Sequence, residues 1–172
     1  MMRLIKRMIR MLFGNYRIAI WQGLKTEEGV TVMEGVGFGS EPYLIHLRKY
    51  SRISSNVMFI THDGGTWAFR NDNEHYKNVI KFGTIEVGEY SFVGANTTIL
   101  PNVKIGSHCV IGAGSVVTKD IPDGMVAVGV PARIICSTKD YAEKSKLTMP
   151  PDFDEKAFMQ DKRKYLSQTM WH

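Results

Sequence analysis

The sequence predicts a mainly β protein, a parallel β-helix of hexapeptide repeats with a helix at each end. Three observations predict it. Counting every sixth residue from Val87 gives Val87, Val93, Ile99, Ile105, Ile111 and Val117, all β-branched aliphatics. A glycine follows four of them, at Gly88, Gly94, Gly106 and Gly112. The residues two places before are Ile85, Ser91, Thr97, Val103, Cys109 and Ser115, which are small or β-branched. A period of six fits neither an amphipathic helix near 3.6 nor an alternating strand at 2. It fits a short strand and a turn, repeated, with three hexads closing one triangular coil.

Taken in order, residues 1–25 form a helix and its connector. MMRLIKRMIRMLF places Arg3, Lys6, Arg7 and Arg10 on one face and Leu4, Ile5, Met8, Ile9 and Leu12 on the other. Two readings stay open for residues 1–13: peripheral contact with an anionic membrane surface, or a face packed on protein. Gly14 and Asn15 break the pattern. The β-helix occupies 26–136. Val30, Val32 and Val36 mark a first coil with imperfect hexads, and Leu47, Ile53 and Phe59 restore the period. The period then fails, because Phe59 and Val87 are 28 positions apart. The Gly-, Asn- and Asp-rich stretch between them reads as a loop thrown out from one corner, about residues 63–83, and long loops on rigid scaffolds carry function. Regular hexads run from Ile85 to near Asp120, followed by an irregular closing segment. Residues 137–172 are read as a polar linker and one C-terminal helix over 153–169, with Phe158, Tyr165 and Leu166 as its packing stripe.

The 172 residues carry a formal net charge of +5, with 44% hydrophobic and 23% charged residues, a soluble globular composition. The basic residues are not interleaved with aromatics, which argues against nucleic acid. Two cysteines make no disulfide framework, and Cys109 reads as a small core residue. No apolar run is long enough to span a bilayer and no signal-peptide cleavage pattern is visible, so a cytoplasmic protein is expected.

The hexads, together with THDGG at 61–65, VVTKDIP at 116–122 and GVPARII at 129–135, resemble the hexapeptide-repeat acyltransferases. More narrowly they resemble the sugar O-acetyltransferases of bacterial polysaccharide synthesis. The resemblance covers roughly residues 30–135. It implies a left-handed β-helix, acetyl-CoA as cosubstrate, and a homotrimer with active sites in the clefts between subunits. It also implies a sugar or glycan hydroxyl as acceptor.

Acetyl transfer to a hydroxyl needs a base, a donor for the tetrahedral oxyanion and a held thioester. His62 is the candidate base, since an imidazole exchanges protons near neutral pH, and its place in THDGG matches the family's catalytic histidine. Asp63 is read as orienting the imidazole, as positioning sugar hydroxyls, or as a plain turn aspartate. By resemblance, Lys119 and Arg133 grip the phosphates of coenzyme A. Ala95 and Ala113 meet the pantetheine arm, the amide near Ala95 serves as the oxyanion donor, and Thr118 lies near the adenine end. Trp67 and Phe69 in the loop either stack on a sugar ring or cover the pantetheine arm, or pack the loop on a neighbouring subunit, with Trp67 the candidate substrate residue. His46, His75, His108 and His172 are read as ordinary surface or terminal histidines. No pair of the five histidines has the spacing that the zinc enzymes of this fold require, so no metal is expected. Serine, an amino sugar or an antibiotic as acceptor, and a non-catalytic assembly subunit, are the alternatives.

Overall fold

The computed structural model describes residues 14–150 and 153–170; the basic amphipathic stretch 1–13 lies outside them. The chain divides into two units, the first through Thr138 and the second from Lys139.

The first unit is a three-sided parallel β-helix. Its short strands are β1 (Lys25–Thr26), β2 (Thr31–Val32), β3 (Ile45–Leu47), β4 (Arg52–Ile53) and β5 (Met58–Phe59). After the loop come β6 (Ile85–Val87), β7 (Phe92–Val93), β8 (Thr98–Ile99), β9 (Val103–Ile105), β10 (Val110–Ile111) and β11 (Val116–Val117). They stack into one side of order β1-β3-β6-β9, a second led by β10-β7-β4-β2, and a third of order β11-β8-β5. The register is strict: Leu47 pairs Val87 and Val87 pairs Ile105, Ile53 pairs Val93 and Val93 pairs Ile111, and Phe59 pairs Ile99 and Ile99 pairs Val117. Every one of these nine side chains is 0% exposed. Aliphatics six apart therefore fill one continuous core column, and each buried Ile or Val contributes roughly 1.5–3 kcal/mol.

The small residues between them keep the corners tight. Ser91 Oγ donates to Gly106 O (2.6 Å) and accepts from Cys109 N (2.9 Å) inside the prism. Cys109 is 1% exposed, and burial pushes its thiol pKa up. The turns use left-handed backbone at Tyr90, Asn96, Asn102, His108 and Gly114, again at a spacing of six. Asparagine and glycine adopt that conformation at least cost. Gly94 is required for a different reason: a Cβ there would sit 2.5 Å from the Ala113 nitrogen on the next coil.

The first coil is longer than the regular coils, in which Val87 pairs Ile105 at an offset of 18. Thr26 pairs Leu47 and Val32 pairs Ile53, an offset of 21 residues, because a turn of 3-10 helix over Pro42–Leu44 adds chain at one corner. Helix α1, over residues 14–21, covers this end: Ala19 is 2% exposed and the Tyr16 ring stacks on Phe38 at 6.2 Å. Only a connector is predicted there. At the other end the hexads do not stop at Asp120. Strand β12 (Met125–Val128) continues the second side beside β10, and β13 (Arg133–Ser137) turns back antiparallel on it. An antiparallel last strand closes the stack against another copy adding in register.

In the second unit the predicted polar linker is largely helical. Helix α3 spans Thr138–Lys146 and follows α2 (Trp67–Arg70), which lies in the loop. Its Asp140 lies in the first turn and Lys144 and Lys146 in the last, as the helix dipole favours. The predicted single helix over 153–169 is two, α4 (Glu155–Gln160) and α5 (Lys162–Thr169). Asp161 breaks the run: its backbone is non-helical and its carboxylate accepts from Lys164 N at 2.9 Å, capping α5. Within this unit Phe153 and Phe158 each meet Tyr165 edge to face and lie tilted to one another at 51°.

Candidate active site

His62 stands where the third side turns back toward the first, at the neck of the loop. The neck is a short antiparallel ladder: Asp63 N donates to Lys81 O and Gly83 N donates to Thr61 O, both at 2.9 Å, with His62 bridged to Phe82. The 21-residue offset of the first coil puts Glu41 under His62. Glu41 Oε2 accepts from His62 Nδ1 at 2.9 Å and from Thr61 Oγ1, itself 1% exposed, at 2.6 Å. The Glu41 side chain is 14% exposed and that of His62 44% exposed. Burial raises the Glu41 pKa, but hydrogen bonds from Thr61, His62 and Ser40 outweigh it, and the carboxyl is held below its ordinary value. An ionised carboxylate only accepts, so Nδ1 carries a proton, and in the neutral imidazole Nε2 is then the acceptor. That is the arrangement of a general base fixed in tautomer and orientation by a carboxylate.

Glu41 is the site residue that sequence reasoning missed. Asp63, read there as orienting the imidazole, positioning sugar hydroxyls or serving as a plain turn aspartate, accepts from Gly65 N at 2.9 Å and pairs with Lys81 Nζ at 3.1 Å. The Gly65 amide first and Lys81 second hold its pKa below the ordinary range. It caps the turn that opens the loop.

A cleft of about 370 Å³ adjoins His62, walled by Glu41, Trp67, Arg70, Ile80 and Phe82. The Phe82 ring lies 5.9 Å from the imidazole, and Trp67 is 71% exposed. Phe69 packs instead on Tyr76 at 5.7 Å. The volume falls in the range of small-molecule sites.

The remaining predicted residues fall on two different edges of the prism. Thr118 and Lys119 follow β11, two coils from His62 on the same edge, roughly 10 Å along the stack. Ala95 and Ala113 occupy the opposite edge of that side, one coil apart, joined by Gly114 N donating to Ala95 O at 2.8 Å. Arg133 starts β13 at the top of this second edge, its Nη1 donating to Ala132 O at 3.0 Å. Ala113 is exposed and Ala95 half-buried. The two edges are separated by about seven residues of extended chain, roughly 20 Å. One chain therefore presents His62 and the two alanines on opposite edges of the same sheet. Among the described residues no group of three or more His, Cys, Asp or Glu could hold a metal ion, and no helix is long and apolar enough to cross a membrane.

Comparison with known proteins bears on this geometry. Residues 84–119 match the family described as bacterial transferase hexapeptide (six repeats). Protein CapG of Staphylococcus aureus is 44% identical over 129 residues, covering 75% of this chain and 72% of the relative. The galactoside O-acetyltransferase of Escherichia coli K12 is 50% identical over 56 residues, covering 33% of this chain and 28% of that one. The crystal structure of a maltose O-acetyltransferase from Clostridium difficile 630 superposes with a TM-score of 0.53 at 24% identity, covering 72% of this chain and 74% of the other. That likeness shows the fold, a left-handed β-helix.

Proposed function

We propose, from the premise that this chain belongs to the hexapeptide-repeat acetyltransferases, that it transfers the acetyl group of acetyl-CoA to a hydroxyl of a sugar or glycan precursor. The observation that carries the proposal is the Thr61–Glu41–His62 chain of hydrogen bonds, which leaves Nε2 as an acceptor beside a cleft of substrate size. His62 Nε2 takes the proton of the acceptor hydroxyl as its oxygen attacks the thioester carbonyl. A backbone amide near Ala95 donates to the oxyanion. The C–S bond breaks, the sulfur of coenzyme A receives the proton from the imidazolium, and an acetyl ester is released. Attack is direct, with no covalent enzyme intermediate.

Coenzyme A is long enough to touch residues on two coils and more. Ala95 and Ala113 offer small side chains for its pantetheine arm, and Lys119 and Arg133 supply cations for its phosphates. Because base and alanines lie on opposite edges of one sheet, the reading requires two chains, one giving His62, Thr118 and Lys119 and the next giving Ala95, Ala113 and Arg133. A head-to-tail contact of that kind generates a ring where its rotation closes, and the family resemblance makes that ring a homotrimer.

The test is the release of free thiol from acetyl-CoA with a panel of sugar acceptors. His62→Ala should lose transfer by about 10²-fold or more while keeping its thermal shift with coenzyme A, and Lys119→Ala with Arg133→Ala should lose that shift. Transfer retained in His62→Ala overturns the proposal.

A further inference from the structure

We infer that the acceptor bound in the His62 cleft carries an anionic group, a carboxylate or a phosphate, which Arg70 binds while His62 activates a neighbouring hydroxyl. The inference rests on the acetyl-transfer reading above and names the class of its acceptor.

The charges that wall this cleft are accounted for, except one. Glu41 is held by Thr61 and His62. Asp63 is held by Gly65 and Lys81. Arg70 is different. Its Nε is sealed from solvent and has no hydrogen-bond partner, and its guanidinium makes no ion pair with any described residue. Arg70 also borders a neighbouring hollow of about 290 Å³ containing Glu74 and Lys77, but those two are paired with each other at 3.3 Å. A sealed donor without a partner is destabilising in the free protein. Nε is closed to a ligand as it is to water, but Arg70 as a whole is only half-buried, so an anion in the cleft meets the terminal Nη fork, which matches carboxylate and phosphate with two parallel hydrogen bonds.

The placement is specific. Trp67 and Arg70 are the first and last residues of α2, three apart and so on one face of that turn. Both wall the cleft that holds His62. Trp67, Ile80 and Phe82 line it with apolar surface against which a sugar ring can pack. A neutral sugar would leave Arg70 as it is. A sugar acid or sugar phosphate would satisfy it and be held by two points, ring against the aromatics and anion on the fork.

The test reads binding at Arg70 directly. The ¹⁵Nε–¹Hε signal of Arg70, identified by its absence in Arg70→Gln, is followed in the full-length protein during titration with glucuronate, glucose 1-phosphate and glucose. A saturable shift with glucuronate or glucose 1-phosphate and none with glucose is the expected result, and which of the two shifts it distinguishes carboxylate from phosphate. By calorimetry Arg70→Gln should bind the charged sugar about tenfold or more weakly, while binding coenzyme A as the parent does. Absence of a saturable shift with both charged sugars, or an equal shift with glucose, overturns the inference. The outcome is independent of transfer: if His62→Ala keeps activity, the acetyl-transfer reading fails while the Arg70 signal still reports on its ligand.

Discussion

Replacing Glu41 by alanine separates orientation of the base from the base itself. In the parent the 2.9 Å bond to Glu41 holds one imidazole rotamer and one tautomer. Freed from it, the ring samples about three χ1 wells and two tautomers, so the productive arrangement falls to roughly one in six, about 1 kcal/mol. The imidazolium formed during transfer also loses a charge-assisted hydrogen bond, roughly 1.5–3 kcal/mol. Together these predict a fall in kcat of about 10²–10³, with KM for coenzyme A unchanged, and the ceiling is the loss in His62→Ala. Stability falls as well, because the Thr61 hydroxyl, 1% exposed, loses its acceptor. An unsatisfied buried hydroxyl costs about 1–3 kcal/mol, or roughly 2–12 °C in Tm at this chain length. Thiol release under saturating substrate and a thermal melt give both numbers. A Glu41→Ala protein whose kcat stays within about threefold of the parent, against the orientation arithmetic, refutes the role assigned to the carboxylate.

Other outcomes follow from the same geometry. The folded-state pKa of Glu41 lies below its ordinary value of 4.5, so its contribution to stability is complete above that pH and is lost as pH falls through the folded value. The Tm gap between the parent and Glu41→Gln should accordingly be constant near neutrality and close on acidification; a gap that widens in acid contradicts the assignment. Asp63→Asn should leave kcat within about fivefold, the reach of an exposed ion pair, since its partners are Gly65 and Lys81; a loss matching that of Glu41→Ala would make Asp63 the orienting acid. Gly94→Ala forces backbone apart at a 2.5 Å approach and should lower stability by about 1–3 kcal/mol, read as a lower Tm, whereas an unchanged Tm shows that the coils have slack.

The repeat was legible because its physics is local and periodic. A parallel stack with one inward position per side demands an aliphatic every sixth residue, and Val87 to Val117 meet that demand at 0% exposure. The left-handed corners at Tyr90, Asn96, Asn102 and His108 follow the same period, but tyrosine and histidine disguise two of them. The loop was legible because a broken period marks an excursion, and His62 because THDGG at its neck matches the family's catalytic histidine. Glu41 was not, because its contact depends on a coil of 21 residues, and the three-residue turn at Pro42–Leu44 that lengthens it leaves no trace in the hexad count. The capping helix at 14–21 and the break at Asp161 were hidden for a related reason, since each is decided by where the chain end packs or caps and not by a run of apolar residues. The separation of Ala95 from His62 onto opposite edges became visible only once the strands were stacked.

That separation is the central claim, and complementation between chains tests it most directly. His62→Ala chains keep an intact alanine edge, and Ala113→Trp chains keep an intact base while the indole fills the coenzyme edge. Neither alone should transfer acetyl groups. Co-expressed in equal amounts and assembled as rings, they should recover about a quarter of the parent's sites, each made of one unmutated edge from either chain. Activity no greater than the sum of the two separate variants would contradict a site shared between chains.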